Sequence, residues 1–252
     1  MPSFRPRKPY KIALITTFRC NAACVNCCFG CRPERGRTMS LEEMKHYVDV
    51  CMDAYPDSLT HLDLTGGECF LLGRNLDEII RYGKDKGLIV SLVSNGYWGK
   101  SYSAALDRIH ALKEAGLREI AFSVGDDHQH ILPLKGCRNA AVASARAGYK
   151  VEFRMETRYG KCSVYEKLKE DSAFMRLVKA GKIDIIFWKW REYNNDIRHG
   201  RGYPWHWRPY DKSKPCDLLF KNIVITPYGD VLACCGIGNS RNPHMRLGNV
   251  WK

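Results

Sequence analysis

The 252-residue chain contains no apolar run approaching the roughly 18 residues that a membrane-crossing helix requires. Its basic start, MPSFRPRKPYK, leads into a short apolar stretch with no small-residue cleavage site, so no signal peptide is expected either. These absences place the protein in the cytoplasm as a sequence-based expectation. Acidic residues are also in deficit, 27 Asp plus Glu against 40 Lys plus Arg. The resulting net charge of +13 suits an acidic peptide, nucleic acid or an anionic cofactor, and does not choose among them. Hydrophobic residues make up 45% of the chain, enough to exclude global disorder and to bury a core without cross-links.

What the sequence does have is cysteine, 12 in all. In a reducing compartment such a number reads as metal ligands or reactive thiols rather than a disulfide framework. One group runs from Cys20 to Cys31 and another from Cys216 to Cys235. The scattered Cys51, Cys69, Cys137 and Cys162 are expected to be small buried hydrophobes, and Cys28 and Cys31 to be loop-packing thiols.

Apolar β-rich runs alternate with amphipathic stretches at a period near thirty residues, the pattern of βα units. Strands are predicted at Lys11 to Thr17, Thr60 to Gly66, Leu88 to Asn95, Arg118 to Val124, Lys150 to Thr157 and Ile183 to Trp190. Helices are predicted at Ser40 to Ala54, opened by a Ser40 and Glu43 capping box, and at Leu76 to Lys86, Tyr102 to Ala115, Cys137 to Ala147 and Ser163 to Lys179. Glycines 87, 116, 148 and 181 stand where helices should stop. Six units with right-handed crossovers imply a partial (β/α)6 barrel over residues 1–190. Residues 191–252 read as a separate small module, with an aromatic, basic stretch and then a hairpin, KNIVIT, PYGD, VLACC. In a parallel barrel the loops after the strands share one mouth, which collects the chemistry-bearing motifs there.

Cys20, Cys24 and Cys27 form CNAACVNC after strand one. Three thiolates can hold three corners of a four-iron four-sulfur (4Fe-4S) cube and leave one iron open to chelate S-adenosylmethionine (SAM). With Gly66, Gly67 and Glu68 as a GGE ending strand two, the chain resembles the radical SAM enzymes. The resemblance implies that Glu68 pairs with the SAM ammonium group, and that Ser94 and Asn95, ending strand three, meet the ribose or carboxylate of SAM. For Ser94 and Asn95 a simple Asn-Gly turn is the competing reading. The family commonly has an aromatic residue before the third cysteine, where this chain has Asn26. Arg154 and Glu156 share one face of strand five and need a cofactor or each other as partners. The segment FSVGDDHQH supplies Asp126, Asp127 and His128, read as solvated loop residues or as groups for substrate contact and proton transfer.

If Val231 to Cys235 is a strand, Cys234 and Cys235 point to opposite faces. Together with Cys216, the block resembles the SPASM and twitch modules that hold an auxiliary iron-sulfur cluster in peptide-modifying radical SAM enzymes. LGNVW, residues 247–251, resembles the segment after a second auxiliary cysteine, although further downstream cysteines are lacking, which suggests a truncated form, unusual ligands or no cluster. CNAACVNCCFGC with a later RTM, DLTGGECFL, LVSNGYWG, FSVGDDHQH and the adjacent CC are together similar to the peptidyl epimerases that make epipeptides. That resemblance implies abstraction of a peptide Cα hydrogen and return of hydrogen from the opposite face by the Cys235 thiol. Cys216 and Cys234 then ligate an auxiliary cluster beside it. It further implies a ribosomally made precursor peptide, an electron donor such as flavodoxin or ferredoxin, and a separate leader-binding protein as candidate partners. Three alternatives stay open: a crosslinking enzyme, a Ser or Cys oxidising maturase using Asp126 or Asp127 as base, and a non-enzymatic metal and nucleic-acid binding module.

Overall fold

The computed structural model describes residues 8–25, 27–34, 36–157, 161–189, 219–234 and 243–252. At its centre is β1 (Lys11–Thr17), KIALITT, buried on both faces as a central parallel strand should be. It pairs in parallel with β2 (His61–Gly66) and β7 (Asn222–Ile225), one on each side. Beyond β2 the parallel ladder continues through β3 (Ile89–Ser94), β4 (Glu119–Gly125), β5 (Val151–Thr157) and β6 (Ile183–Lys189). Beyond β7 it continues antiparallel through β8 (Asp230–Leu232) and β9 (Arg246–Asn249). Among the described residues β6 and β9 are the two edges, so the six βα units stay open, as a partial barrel requires.

Helices α1 (Leu41–Ala54), α2 (Arg74–Asp85), α3 (Tyr102–Ala115), α4 (Asp126–Ile131), α5 (Leu134–Arg146), α6 (Ser163–Lys169) and α7 (Ser172–Lys179) fill the connections. The expected Ser40 and Glu43 capping box opens α1. Alternation along the strands turns Leu14, Leu64, Leu92, Phe122 and Phe153 toward the helices, where they form the main core with Tyr47, Leu76 and Phe174. Phe153 stands 5.2 Å from Phe174 and 6.4 Å from Phe122, ring centre to ring centre. Each such buried ring or aliphatic chain contributes about 1.5–3 kcal/mol of transfer free energy. The other sheet face is more polar: Asp63, Ser91 and Glu119 lie in one register row, with Lys11 paired to Asp63 at 2.8 Å.

Three sequence-based expectations change. The segment after β4 is not a loop but the short helix α4. The helix expected over 163–179 is two helices, because Asp171 caps the second by accepting from the Phe174 N–H at 2.9 Å. The hairpin strand β7 extends the barrel sheet beside β1, and β9 is a further strand that the LGNVW reading missed. The aromatic, basic stretch from Trp190 onward lies outside the described residues.

Asp171 also accepts two hydrogen bonds from Arg138, at 2.6 and 3.0 Å, tying α7 to α5. The Arg138 guanidinium holds the Asp171 carboxyl below its ordinary range. A depressed folded-state value means that the contribution is complete above about pH 4 and is lost as pH falls through the carboxylate range. Asp171→Ala is therefore expected to lower stability by about 1–2 kcal/mol near neutral pH and by much less near pH 3, measured by urea unfolding. A deficit that is the same at both pH values would contradict the pairing.

Candidate active site

The ends of four adjacent strands bring the singled-out motifs together. The Gly67 N–H donates to Thr17 O at 2.7 Å and the Glu68 N–H to Arg19 O at 3.1 Å, which ties the end of β2 to the base of the cysteine loop. A Cβ on Gly67 would lie 1.9 Å from Arg19 O and 3.2 Å from Cys20 Cβ, so no side chain fits there. Gly67→Ala is expected to push the loop off its seat. The purified, reconstituted variant should hold less iron per chain than wild type and melt at a lower temperature; iron content and Tm equal to wild type would contradict this.

Glu68 is fully buried, and its carboxylate accepts from the Asn95 N–H at 2.8 Å, the Ser94 hydroxyl at 2.9 Å and the Phe70 N–H at 3.2 Å. Burial pushes this carboxyl up to about 7 against the pull of those donors. Glu68 thus staples the end of β2 to the end of β3, a role absent from the sequence reading. The Ser94 hydroxyl, besides donating to Glu68, accepts from the Gly96 N–H and the Trp98 Nε1–H, each at 3.0 Å. One donor and two acceptor sites are then all in use, so Ser94 has no capacity left for a ribose contact. Asn95 does two things: its Oδ1 accepts from the Tyr97 N–H in the turn, and its Nδ2 donates to Asn21 Oδ1 at 2.8 Å and approaches Cys20 Sγ at 3.8 Å. Asn21, which no pattern marks in the sequence, is the joint between β3 and the cysteine loop.

In that loop the Ala22 N–H points at Cys20 Sγ (3.4 Å) and the Cys31 N–H at Cys27 Sγ (3.2 Å). Such donors favour the thiolate, the form that binds iron. Burial pushes the Cys20 thiol up to about 11 and those of Cys24 and Cys28 up to about 12. Hydrogen bonding from Cys31 brings Cys27 down to about 6, and the same bond raises Cys31. Among the described residues no three Cys, His, Asp or Glu side chains converge on a single-ion site. A 4Fe-4S cube asks for something else, one thiolate on each of three separate irons, and three thiols on one amide-lined loop fit that requirement.

The helix after β4 divides its residues between two tasks. Asp126 accepts from the Ser163 hydroxyl at 2.7 Å and from the Ser163 and Val164 N–H groups at 3.1 Å, so it anchors the start of α6 rather than facing a substrate. Burial would raise this carboxyl, but the bonds from Ser163 and Val164 outweigh it and bring it below its ordinary value. Asp127 and Glu156 lie close enough to Cys24 to act on it electrostatically. His128 Nδ1 is 3.7 Å from Glu156 Oε2, and burial pushes the imidazole down to about 4 against the opposing effect of Asp127. His128 Nδ1 and Gln129 Nε2 are buried without a hydrogen bond among the described residues. Unpaired buried polar atoms are unfavourable, so a water or another polar group is expected to meet them. Arg154 instead pairs with Glu152 at 2.7 and 2.9 Å, two residues back on the same face of β5.

Cys216, Cys235 and Asn26 lie outside the described residues. Cys234 is buried just beyond β8. β8 ends at Leu232, after a register shift between Val231 and Leu232, and backbone bonds continue at Ala233, whose N–H donates to Met245 O and whose carbonyl accepts from the Phe220 N–H. Because β8 runs antiparallel to β7 and so to β1, Cys234 lies toward the start of β1, the end opposite the cysteine loop. Packing nevertheless links this hairpin to the cysteine loop. Phe18 and Phe29 pack both on the cluster formed by Cys20, Ala22, Cys24, Cys31 and Leu132, and on that of Ala13, Ile15, Val224 and Leu232.

An open parallel α/β sheet with a CxxxCxxC loop after its first strand and GGE after its second defines the class. The sequence profile of the Radical SAM superfamily matches residues 14–150, more than half of the chain, and the chain belongs to that superfamily. It is 31% identical over 112 residues to the peptide biosynthesis protein YydG of Bacillus subtilis, covering 44% of this chain and 34% of YydG. It is 36% identical over 127 residues to the GTP 3′,8-cyclase of Aquifex aeolicus, covering 48% and 36%. Over 80 residues it is 34% identical to the antilisterial bacteriocin subtilosin biosynthesis protein AlbA of B. subtilis, covering 32% and 17%. The matched stretches span about a third or less of the lengths of these relatives. Membership in the superfamily implies a 4Fe-4S cluster and SAM. Among the described residues no helix is long and apolar enough to cross a membrane.

Proposed function

We propose that the protein modifies a ribosomally made precursor peptide, converting chosen L residues to D by exchange of the Cα hydrogen. The observation that carries this reading is the loop of Cys20, Cys24 and Cys27 seated on the GGE turn, through the Gly67 and Glu68 N–H groups that donate to Thr17 O and Arg19 O. The names of YydG and AlbA, both biosynthetic proteins for peptides, support the substrate class.

When bound, the cluster and SAM supply a primary carbon radical strong enough to take hydrogen from a peptide Cα. Cys20, Cys24 and Cys27 hold the iron, while the Gly66, Gly67 and Glu68 turn and Asn95 set the position of that loop and carry the contacts to SAM. Glu68 keeps capacity for one further donor, such as the SAM ammonium group. Glu156, Asp127, His128 and the Gln129 amide line the side of β4 and β5, where they orient the ligand and the peptide main chain. Cys235 gives its hydrogen atom to the opposite face of the Cα: its S–H bond breaks, the new C–H bond forms, and the thiyl regains S–H by taking up one electron and one proton. The electron comes from a donor of the flavodoxin or ferredoxin type. Cys216 and Cys234 are proposed ligands of an auxiliary iron-sulfur cluster within residues 191–252, and a separate leader-binding protein is a proposed partner.

The alternative reading is peptide crosslinking, which needs no thiol as hydrogen donor. Product analysis decides between them after incubation with reductant, SAM and the peptide encoded beside the gene. Epimerisation leaves peptide mass unchanged and yields D residues on hydrolysis, whereas crosslinking removes two hydrogens.

A further inference from the structure

The opposite end of the sheet carries a cavity of about 600 Å³ that the reaction does not use. It is formed where the chain leaves α2, α3 and α5 to enter β3, β4 and β5, and its charged lining consists of Lys84, Lys113 and Arg118 with no carboxylate. The cysteine loop and the GGE turn follow the other ends of these strands. A six-residue strand such as β3 puts roughly 20 Å between the two ends, so this cavity is not part of the mouth.

Lysines in the last turn of a helix complement its dipole, and Lys113 does so directly by donating to Ala147 O, at the end of α5, at 2.7 Å. Lys84 stands likewise in the last turn of α2, whereas Arg118 follows a helix and is not explained this way. Gly116, in the left-handed region at φ +107°, has no Cβ, and a Cβ there would lie 2.4 Å from Lys84 Cδ. The lysine stem therefore crosses the turn at that point, which holds it along the cavity wall. Arg118 comes just before β4, and its neighbour Glu119 belongs to the register row of Ser91 and Asp63 on the polar sheet face. Among the described residues no salt bridge neutralises Lys84 or Arg118. Leu88, Leu117 and Tyr149, all buried, form an apolar floor beneath the charges. Convergent cations over an apolar floor, in a volume of this size, match a small organic or inorganic anion.

We infer that this cavity is an anion-binding site for a small ligand bearing phosphate or carboxylate groups, gripped by Lys84 and Arg118 with Lys113 beside them. It is independent of the peptide-modifying reading. Calorimetric titration of the full, reconstituted protein at low salt tests it, with inorganic pyrophosphate and citrate as probes. Saturable binding of pyrophosphate, of citrate or of both is expected, and which of them binds tells phosphate from carboxylate chemistry. The Lys84→Gln/Arg118→Gln double variant should bind the same probe about tenfold more weakly or worse, the scale of one lost charged hydrogen bond. It should cleave SAM at the wild-type rate and keep its far-UV circular dichroism, because neither residue belongs to the mouth. Absence of saturable binding by wild type, or equal binding by the double variant, would overturn the site.

Discussion

Replacing Cys20, Cys24 and Cys27 together with alanine is expected to abolish cleavage of SAM to 5′-deoxyadenosine and methionine, a loss of more than about a hundredfold. Changes one shell away from a metal commonly cost ten- to a hundredfold in affinity or activity, and here the ligands themselves are removed. The fold should survive the change. Cys20 and Cys24 are small buried side chains whose neighbours include Ala22 and Leu132, and the loop is held by backbone bonds from Cys20 to Arg32 and from Phe18 to Arg37. Circular dichroism of the triple variant should therefore resemble wild type while iron and activity disappear. Retained SAM cleavage would remove the radical-forming role of this loop.

The second large effect concerns the adjacent cysteines. Cys235→Ala should bind its iron, cleave SAM and lose epimerisation altogether, because the Cα radical forms but lacks the thiol that returns hydrogen. Cys234→Ala should instead lose the auxiliary iron and leave the first cluster intact. The two variants are told apart by iron content, SAM cleavage and residue chirality. Normal epimerisation by Cys235→Ala would end the donor assignment. Loss of iron from Cys235→Ala would make it a ligand and move the balance toward crosslinking.

The sequence made the frame legible because its signals were local and strong. Strand β1 announces itself as KIALITT, the capping box at Ser40 and Glu43 opens α1, and glycines close the helices. The loop cysteines were legible for the same reason, since three thiols at that spacing after a strand have few other readings. What stayed hidden depended on contacts between distant segments. Glu68, Ser94 and Asn21 form one hydrogen-bonded joint only because β2 and β3 are neighbours in space, and nothing in their spacing predicts that Ser94 spends all its capacity on protein atoms. Asp126 was read as a mouth carboxylate from its place after β4, yet the start of α6 comes round to meet it. Asp171 looked like one polar position in a long amphipathic helix until Arg138, 33 residues away, joined it as a partner. The hairpin was legible as a hairpin, but its parallel pairing with β1 is a contact across some 200 residues that a pattern of alternating side chains does not contain.

Mass spectrometry of the peptide product formed in deuterated water tests peptide epimerisation most directly. With wild-type protein, reductant and SAM, each inverted centre should carry one deuterium, delivered through the exchangeable thiol, so the product gains one mass unit for each D residue found on hydrolysis. A product lighter by two hydrogens, or D residues that carry no deuterium, would contradict hydrogen return by a cysteine.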